Sequence, residues 1–243
     1  MVTLWPIRHC KHLFGWNNWL RIAVEIQELF MYWADQRAAV LYREENVSDE
    51  DARRLPASDS RQARKDDWQV SRVLLHEARS AMTPGAVLSL SHSGGHAICA
   101  QAPAGWKLGA DLEHMRPRDV LRLADWVCSP AEAAALAALD GDAQRERFYL
   151  LWTLKEAFIK AANLDFPADM ASVGLAPEAG GEWRLNAPAG AWRACSWRVG
   201  GAWMASMVWS AFSDNAMSPQ WRAPTVCPLP PVTLIGHWAS AAK

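Results

Sequence analysis

The chain has 243 residues, 51% of them apolar and 21% charged, with 15 tryptophans and a formal net charge of −1. This composition excludes a disordered polymer and supplies apolar surface for one large core or two modest ones. A charge so near zero also excludes a global basic field of the kind that holds nucleic acid or an anionic membrane, so an anionic ligand has to be met by a local group of cations.

Residues 1–35 form a Trp-rich leader containing Trp5, Trp16, Trp19 and Trp33. These side chains read as packing residues rather than a stacking platform for bases, because Arg and Lys are sparse among them. The apolar stretch in this leader, residues 13–33, is broken by Arg21, Glu25 and Glu28 and reads as neither a signal peptide nor a membrane span. Residues 17–36 carry a helical period and 38–42 suggest a short strand. Ser48 then starts a short helix with Asp51 in the reciprocal capping position.

A basic group follows (Arg53, Arg54, Arg61, Arg64, Lys65), leading into residues 60–79, where Trp68, Val70, Val73, Leu74 and Ala78 predict a long helix with one buried face. Thr83-Pro84-Gly85 ends it. Residues 87–90 and 96–100 read as strands joined by the Gly-rich turn Ser91-His-Ser-Gly-Gly95. The second half restarts with a strand at 107–112, then helices at 118–126 and 130–139, the latter with Ser129 as N-cap and Pro130 at its first position. Residues 145–164 form the longest helical pattern. Strands are expected at 172–175, 182–185, 192–199 and 203–209, with Gly200-Gly201 as a hairpin turn, and a Pro-rich, loosely packed tail from 214 onward.

Each half therefore offers a long helix and a few antiparallel strands, an α+β fold of two similar units, with boundaries at 36–105 and 106–213 between the leader 1–35 and the tail 214–243. The five cysteines (Cys10, Cys99, Cys128, Cys195, Cys227) are odd in number, far apart and without a C-x-x-C. They suggest neither zinc nor a disulfide framework, and fit a reducing cytoplasm.

Three groups of residues carry chemistry. In Gly109-Ala-Asp-Leu-Glu113 a strand points Asp111 and Glu113 to one face and Ala110 and Leu112 to the other. Two such carboxylates repel unless a cation lies between them, and a hard ion such as Mg2+ suits that role; solvated acids at a strand end are the plainer alternative. In Trp152-Thr-Leu-Lys-Glu-Ala-Phe-Ile-Lys160 the i, i+4, i+8 spacing puts Trp152, Glu156 and Lys160 on one helical face, either as a surface Glu–Lys pair or as a third carboxylate beside two lysines. In the turn at 91–95, His92 follows an apolar strand and precedes two glycines, where it can lean over a phosphate; a turn histidine without a ligand is the alternative. A serine-hydrolase elbow is a poor fit, since neither Ser91 nor Ser93 has a glycine two residues before it. A metal hydrolase built on His92, His96 and Asp111 fits the spacing poorly.

Taken together and in this order, Ser-His-Ser-Gly at 91–94, Gly-Ala-Asp-Leu-Glu at 109–113 and Trp-Thr-Leu-Lys-Glu-Ala-Phe-Ile-Lys at 152–160 resemble the three signatures of the 4'-phosphopantetheinyl transferases, in the long, surfactin-synthetase-activating branch. The resemblance spans roughly residues 50–209, with 64–75 similar to the family's basic helix. It implies Asp111, Glu113 and Glu156 as Mg2+ ligands, Glu156 and Lys160 as catalytic groups, and His92 and Lys160 on the phosphates of coenzyme A. It places Ser91 and Lys155 along the cofactor cleft, and Arg53, Arg54, Arg64 or Lys65 at the 3'-phosphate end.

It further implies a pseudo-symmetric monomer with its active site between the halves, and transfer of phosphopantetheine to a serine of an apo acyl or peptidyl carrier protein with release of 3',5'-ADP. Neither nucleic acid nor a membrane is a partner in this reading. The family's Gly-Lys-Pro loop between basic helix and Ser-His-Ser turn is missing, since only residues 77–87 join them. That shortening leaves open a relative that grips coenzyme A or carrier proteins without turnover. A client among fatty-acid synthase carriers is as compatible with these motifs as one among peptide or polyketide synthases.

Overall fold

Alternation along the strands sorts the apolar side chains into three core layers. The computed structural model describes residues 28–55, 62–177, 182–211 and 218–240. In chain order the elements are β1 (Phe30–Ala34), α1 (Asp49–Ala52), α2 (Gln62–Ser80), β2 (Val87–Ser93), β3 (His96–Ala102), β4 (Lys107–His114), α3 (Val120–Val127), α4 (Pro130–Ala137), α5 (Gly141–Ala162), β5 (Gly174–Pro177), β6 (Trp183–Asn186), β7 (Trp192–Val199), β8 (Trp203–Ser210), β9 (Gln220–Arg222) and β10 (Val232–Ala239). One four-stranded sheet has the order β2-β3-β1-β9 and a second the order β10-β7-β8-β4, beside a small β5-β6 pair. Every pair is antiparallel except β1 with β9.

Phe30, Tyr32, Ala97 and Cys99 face α2, where they pack on Val70, Val73, Leu74 and Ala78. Their neighbours Met31, Trp33, Ile98 and Ala100 point the other way, into a core shared with Leu108, Ala110 and Leu112 of β4 and with Trp197, Met207 and Trp209. The second face of the second sheet, through Ala194, Met204 and Val208, packs on Phe148, Leu151, Leu154 and Phe158 of α5. The result is helix, sheet, sheet, helix: two α+β units, each with a four-stranded and mostly antiparallel sheet under a long helix, as the pattern of the two halves predicts.

Local chemistry sets the boundaries. Ser129 and Glu132 form a complete capping box with Pro130 behind the cap. α5 stops at Asn163, which takes the left-handed conformation (φ 52°, ψ 53°) that Asn tolerates at a helix end. Gly200 and Gly201 both have positive φ (58° and 77°), which glycine adopts without steric cost, in the three-residue turn at 200–202 that joins β7 to β8.

Three expectations are corrected. The described part of the helix expected at 17–36 is the strand β1; residues 17–27 lie outside the described residues. β1 is buried along its whole length because α2 covers one face and the second sheet the other, so it has no polar side and no period of two to reveal it. The strand expected at 38–42 is a 3-10 helix at Gln36–Leu41, started by Asp35, whose carboxylate accepts the amide of Arg37 at 2.9 Å. The tail is not loose: β9 pairs with β1 and β10 with β7, so residues assigned to the leader and the tail complete both sheets. Among the described residues no helix is long and apolar enough to cross a membrane.

Candidate active site

β2 and β4 are edge strands of different sheets, and they meet along the seam between the two units. Asp111 and Glu113 lie on β4 opposite Ala110 and Leu112, which are in the shared core, so both acids turn toward α5. That helix comes unusually close because Gly109 has no side chain there: a Cβ would fall 1.9 Å from the Ala157 carbonyl oxygen and 2.7 Å from the Ala161 nitrogen. Lys160, near the end of α5, consequently reaches β4. Its Nζ donates to the Ala110 carbonyl at 2.9 Å and to Asp111 Oδ1 at 2.8 Å.

The charges in this seam are unbalanced. Glu156 has its pKa pushed up to about 7, by burial first and then by the charge of Asp111, with Lys160 opposing and Glu113 adding to the rise. Glu113 is also raised, by burial and by Asp111, against a hydrogen bond from Ser93 and the charges of Arg118 and Lys160. Asp111 Oδ2 is buried and finds no hydrogen-bond partner among the described residues. Three mutually repelling carboxylates share one nearby ammonium, and one buried oxygen is unsatisfied.

The Ser-His-Ser turn closes the other side. Ser91 Oγ donates to Asp111 Oδ1 at 2.8 Å and Ser93 Oγ to Glu113 Oε2 at 3.1 Å. His92 alternates with them and so shares the face of Leu88 and Leu90, which pack on the α2 side. Its pKa is lowered by desolvation, with Asp67 opposing, Arg72 and Lys160 reinforcing, and Asp111 opposing. His92 therefore stands where charges of both units are felt. Asp67 of α2 also accepts the Gly95 amide, which anchors the turn to the basic helix.

Of the predicted residues, the fold gathers Asp111, Glu113, Glu156, Lys160, His92 and Ser91. Lys155 is a correction: it is fully buried, and its ammonium is spent on Glu132 at 2.8 Å and on the carbonyls of Met170 (2.8 Å) and Val173. One residue on a helix is a rotation of about 100°, so Lys155 turns away from the face shared by Trp152, Glu156 and Lys160. Removing one partner of a buried pair strands the other charge, so Lys155→Met is expected to cost roughly 3–5 kcal/mol in a urea denaturation. A midpoint and slope like the parent's would contradict this structural role.

Arg54 is exposed and pairs with Glu50 at 2.9 Å, and Arg64 is exposed on the first turn of α2. Among the described residues neither has a hydrogen bond or ion pair to Asp111, Glu113 or Glu156. The basic side chain that the spacing did not single out is Arg72, which lies over the Trp68 ring at 4.3 Å, pairs with buried Asp51 and acts on His92. The i, i+4 relation of Trp68 and Arg72 was the available signal. His96 is not a partner of Asp111 as a metal hydrolase would need. Its ring packs against Trp203 at 3.9 Å and its Nδ1 lies 2.8 Å from the Gly94 carbonyl.

Among the described residues no three His, Cys, Asp or Glu side chains already enclose a metal position. The donor set nevertheless fits a hard divalent ion: all its atoms are carboxylate oxygens, Asp111 Oδ2 is unsatisfied, and an added positive charge would relieve the repulsion that raises Glu113 and Glu156.

Residues 107–208 match the sequence model of the 4'-phosphopantetheinyl transferase superfamily. A 4'-phosphopantetheinyl transferase of Bacillus subtilis is 38% identical over 94 residues, 38% of this chain and 41% of that protein. The 4'-phosphopantetheinyl transferase AcpT of Salmonella typhimurium is 36% identical over 113 residues, 40% of this chain and 58% of that one. The chain thus spans about half the length of these curated relatives, and over that part its sequence is similar to theirs. A holo-(acyl-carrier-protein) synthase from Bacillus anthracis, solved in complex with CoA (3',5'-ADP), covers 44% of this chain and 96% of its own, with 14% identity and a TM-score of 0.38.

Proposed function

We propose that this protein is a Mg2+-dependent 4'-phosphopantetheinyl transferase that moves the phosphopantetheine arm of coenzyme A onto a serine of an apo acyl or peptidyl carrier protein, releasing 3',5'-ADP. The observation that carries this reading is the convergence of Asp111, Glu113, Glu156 and Lys160 beside His92, within the segment whose sequence matches the superfamily. Asp111, Glu113 and Glu156 would hold the ion. When bound, Mg2+ supplies Lewis-acid polarisation of a pyrophosphate oxygen.

The chain's own groups account for the remainder. The carrier serine's oxygen forms a bond to the β-phosphorus of coenzyme A as the bridging bond to 3',5'-ADP breaks. Glu156, a carboxylate that can give one oxygen to the ion and keep the other free, takes the serine proton. Lys160 stands on the same helical face and neutralises charge gathering on the departing phosphate. His92, whose charged form is disfavoured by desolvation, is a hydrogen-bond partner for a phosphate oxygen, and Arg72 supplies the cation behind it.

Both sides of the site come from one chain, which supports a monomer as the working unit. The four described cysteines are free thiols, in keeping with a cytoplasmic setting. The test is mass spectrometry of a panel of apo carrier proteins incubated with the protein, coenzyme A and Mg2+. A gain of one phosphopantetheine on at least one carrier, abolished by Asp111→Ala, is the expected result. Coenzyme A binding without transfer to any carrier would instead identify a non-catalytic relative.

A further inference from the structure

No backbone ladder joins β2 to β4 among the described residues; they are edges of separate sheets. Their connection is made by three alternate serines. Ser89 Oγ accepts the Ala110 amide at 2.9 Å, Ser91 Oγ the Leu112 amide at 3.3 Å and Ser93 Oγ the His114 amide at 3.2 Å, each across a sequence separation of 21. A constant separation means that the two strands run parallel, with each hydroxyl taking the place of a ladder carbonyl.

A hydroxyl that accepts an amide still has one proton to give. Ser91 gives it to Asp111 Oδ1 and Ser93 to Glu113 Oε2. The corresponding position on β4 for Ser89 is Gly109, which has no side chain to receive one. The zipper therefore does two separable things: all three serines hold the halves together, and only two of them hold an acid.

We infer that Ser91 and Ser93 are positioning residues, whose hydroxyls fix Asp111 and Glu113 in the orientation that receives the metal ion. Ser91 is accordingly not a free phosphate ligand: its oxygen is buried between a backbone amide and a carboxylate. The inference rests on the metal reading proposed above. Its physical basis is that a ligating carboxylate with free rotation loses affinity when its outer partner is removed, typically about 10- to 100-fold. The zipper also makes the metal site a property of both units, since the acids belong to one half and the hydroxyls that aim them to the other.

The experiment is Mn2+ titration of the full chain, followed by electron paramagnetic resonance without coenzyme A or carrier, on the parent and on Ser89→Ala, Ser91→Ala, Ser93→Ala and Ser93→Thr. Melting curves for every variant report the folded fraction. Ser91→Ala and Ser93→Ala are expected to bind Mn2+ about 10- to 100-fold more weakly. Ser93→Thr, which restores a hydroxyl on a side chain that suits a strand, is expected to return close to the parent. Ser89→Ala loses the same kind of seam hydrogen bond and is expected to melt earlier with its Mn2+ affinity intact.

Parental affinity in Ser93→Ala, or an equal loss in Ser89→Ala, would overturn the assignment. A parent that binds no Mn2+ would overturn the metal reading together with it. Mn2+ binding that follows the predicted pattern in a protein that modifies no carrier would leave the positioning role standing and refute the transferase.

Discussion

Glu156→Gln is expected to lower kcat by about 10²- to 10⁴-fold, the usual contribution of a positioned general base. The glutamine keeps the size of the side chain and one oxygen for the ion, but it cannot take the serine proton. Turnover should therefore be compared at Mg2+ concentrations that saturate parent and variant alike, with the metal affinity of each measured beside it. Full turnover with normal metal binding would remove Glu156 as the base.

The same substitution makes a prediction of opposite sign for stability. Glu156 has its pKa raised in the folded protein from the ordinary carboxylate value of 4.5 to about 7. The folded state thus binds the proton more tightly than the unfolded one, and stability falls as pH rises from about 4.5 through about 7. Above that window the ionised carboxylate is a burden on the fold, which glutamine removes. Without added metal at pH 8, Glu156→Gln is expected to melt above the parent, and the difference should vanish near pH 4. A variant that gains stability while losing turnover is the behaviour of a site whose charges serve chemistry rather than folding.

The pair Asp111 and Glu113, and the face shared by Trp152, Glu156 and Lys160, were legible because periods of two and of 3.6 residues determine which side chains point together. That both faces meet across one seam is a tertiary fact, suggested only by the order of the motifs. Lys155 shows how spacing misleads: it adjoins Glu156 in sequence, yet the helix turns it into a buried pair with Glu132. The serines of β2 were legible as polar residues of a turn and not as a zipper, because their partners are amides of a strand in the other half. β1 was hidden by burial on both faces, and β10 by a tail whose prolines outweighed its short alternating run.

Gly109→Ala is the substitution expected to harm the fold most for its size. Its added methyl would stand 1.9 Å from the carbonyl oxygen of Ala157 and 3.0 Å from the carbon of that carbonyl, with the Ala161 nitrogen at 2.7 Å. All three atoms are backbone of α5, so no rotamer change relieves the contact and the helix itself has to withdraw. Phe158 and Leu154 are fully buried on that helix, and withdrawing them opens the core on one side while the methyl crowds it on the other. The expected cost is about 3 kcal/mol, the upper part of the range for overpacked cores, measurable in urea at constant slope.

In the fraction that stays folded, Glu156 and Lys160 move with α5 while Asp111 and Glu113 stay with β4. Lys160 then loses its hold on the Ala110 carbonyl and on Asp111, and a displacement of about 1 Å between reacting groups is worth roughly a further 10²-fold in rate. Single-turnover measurements on the folded fraction separate this loss from the loss of folded protein. Parental stability would mean that α5 does not lie against β4 as closely as Gly109 allows. Parental turnover in a destabilised protein would mean that the acids of the two elements do not act together. The glycine of Gly-Ala-Asp-Leu-Glu is thus tied to the chemistry through contact distance alone, by letting the helix that carries Glu156 and Lys160 rest on the strand that carries Asp111 and Glu113.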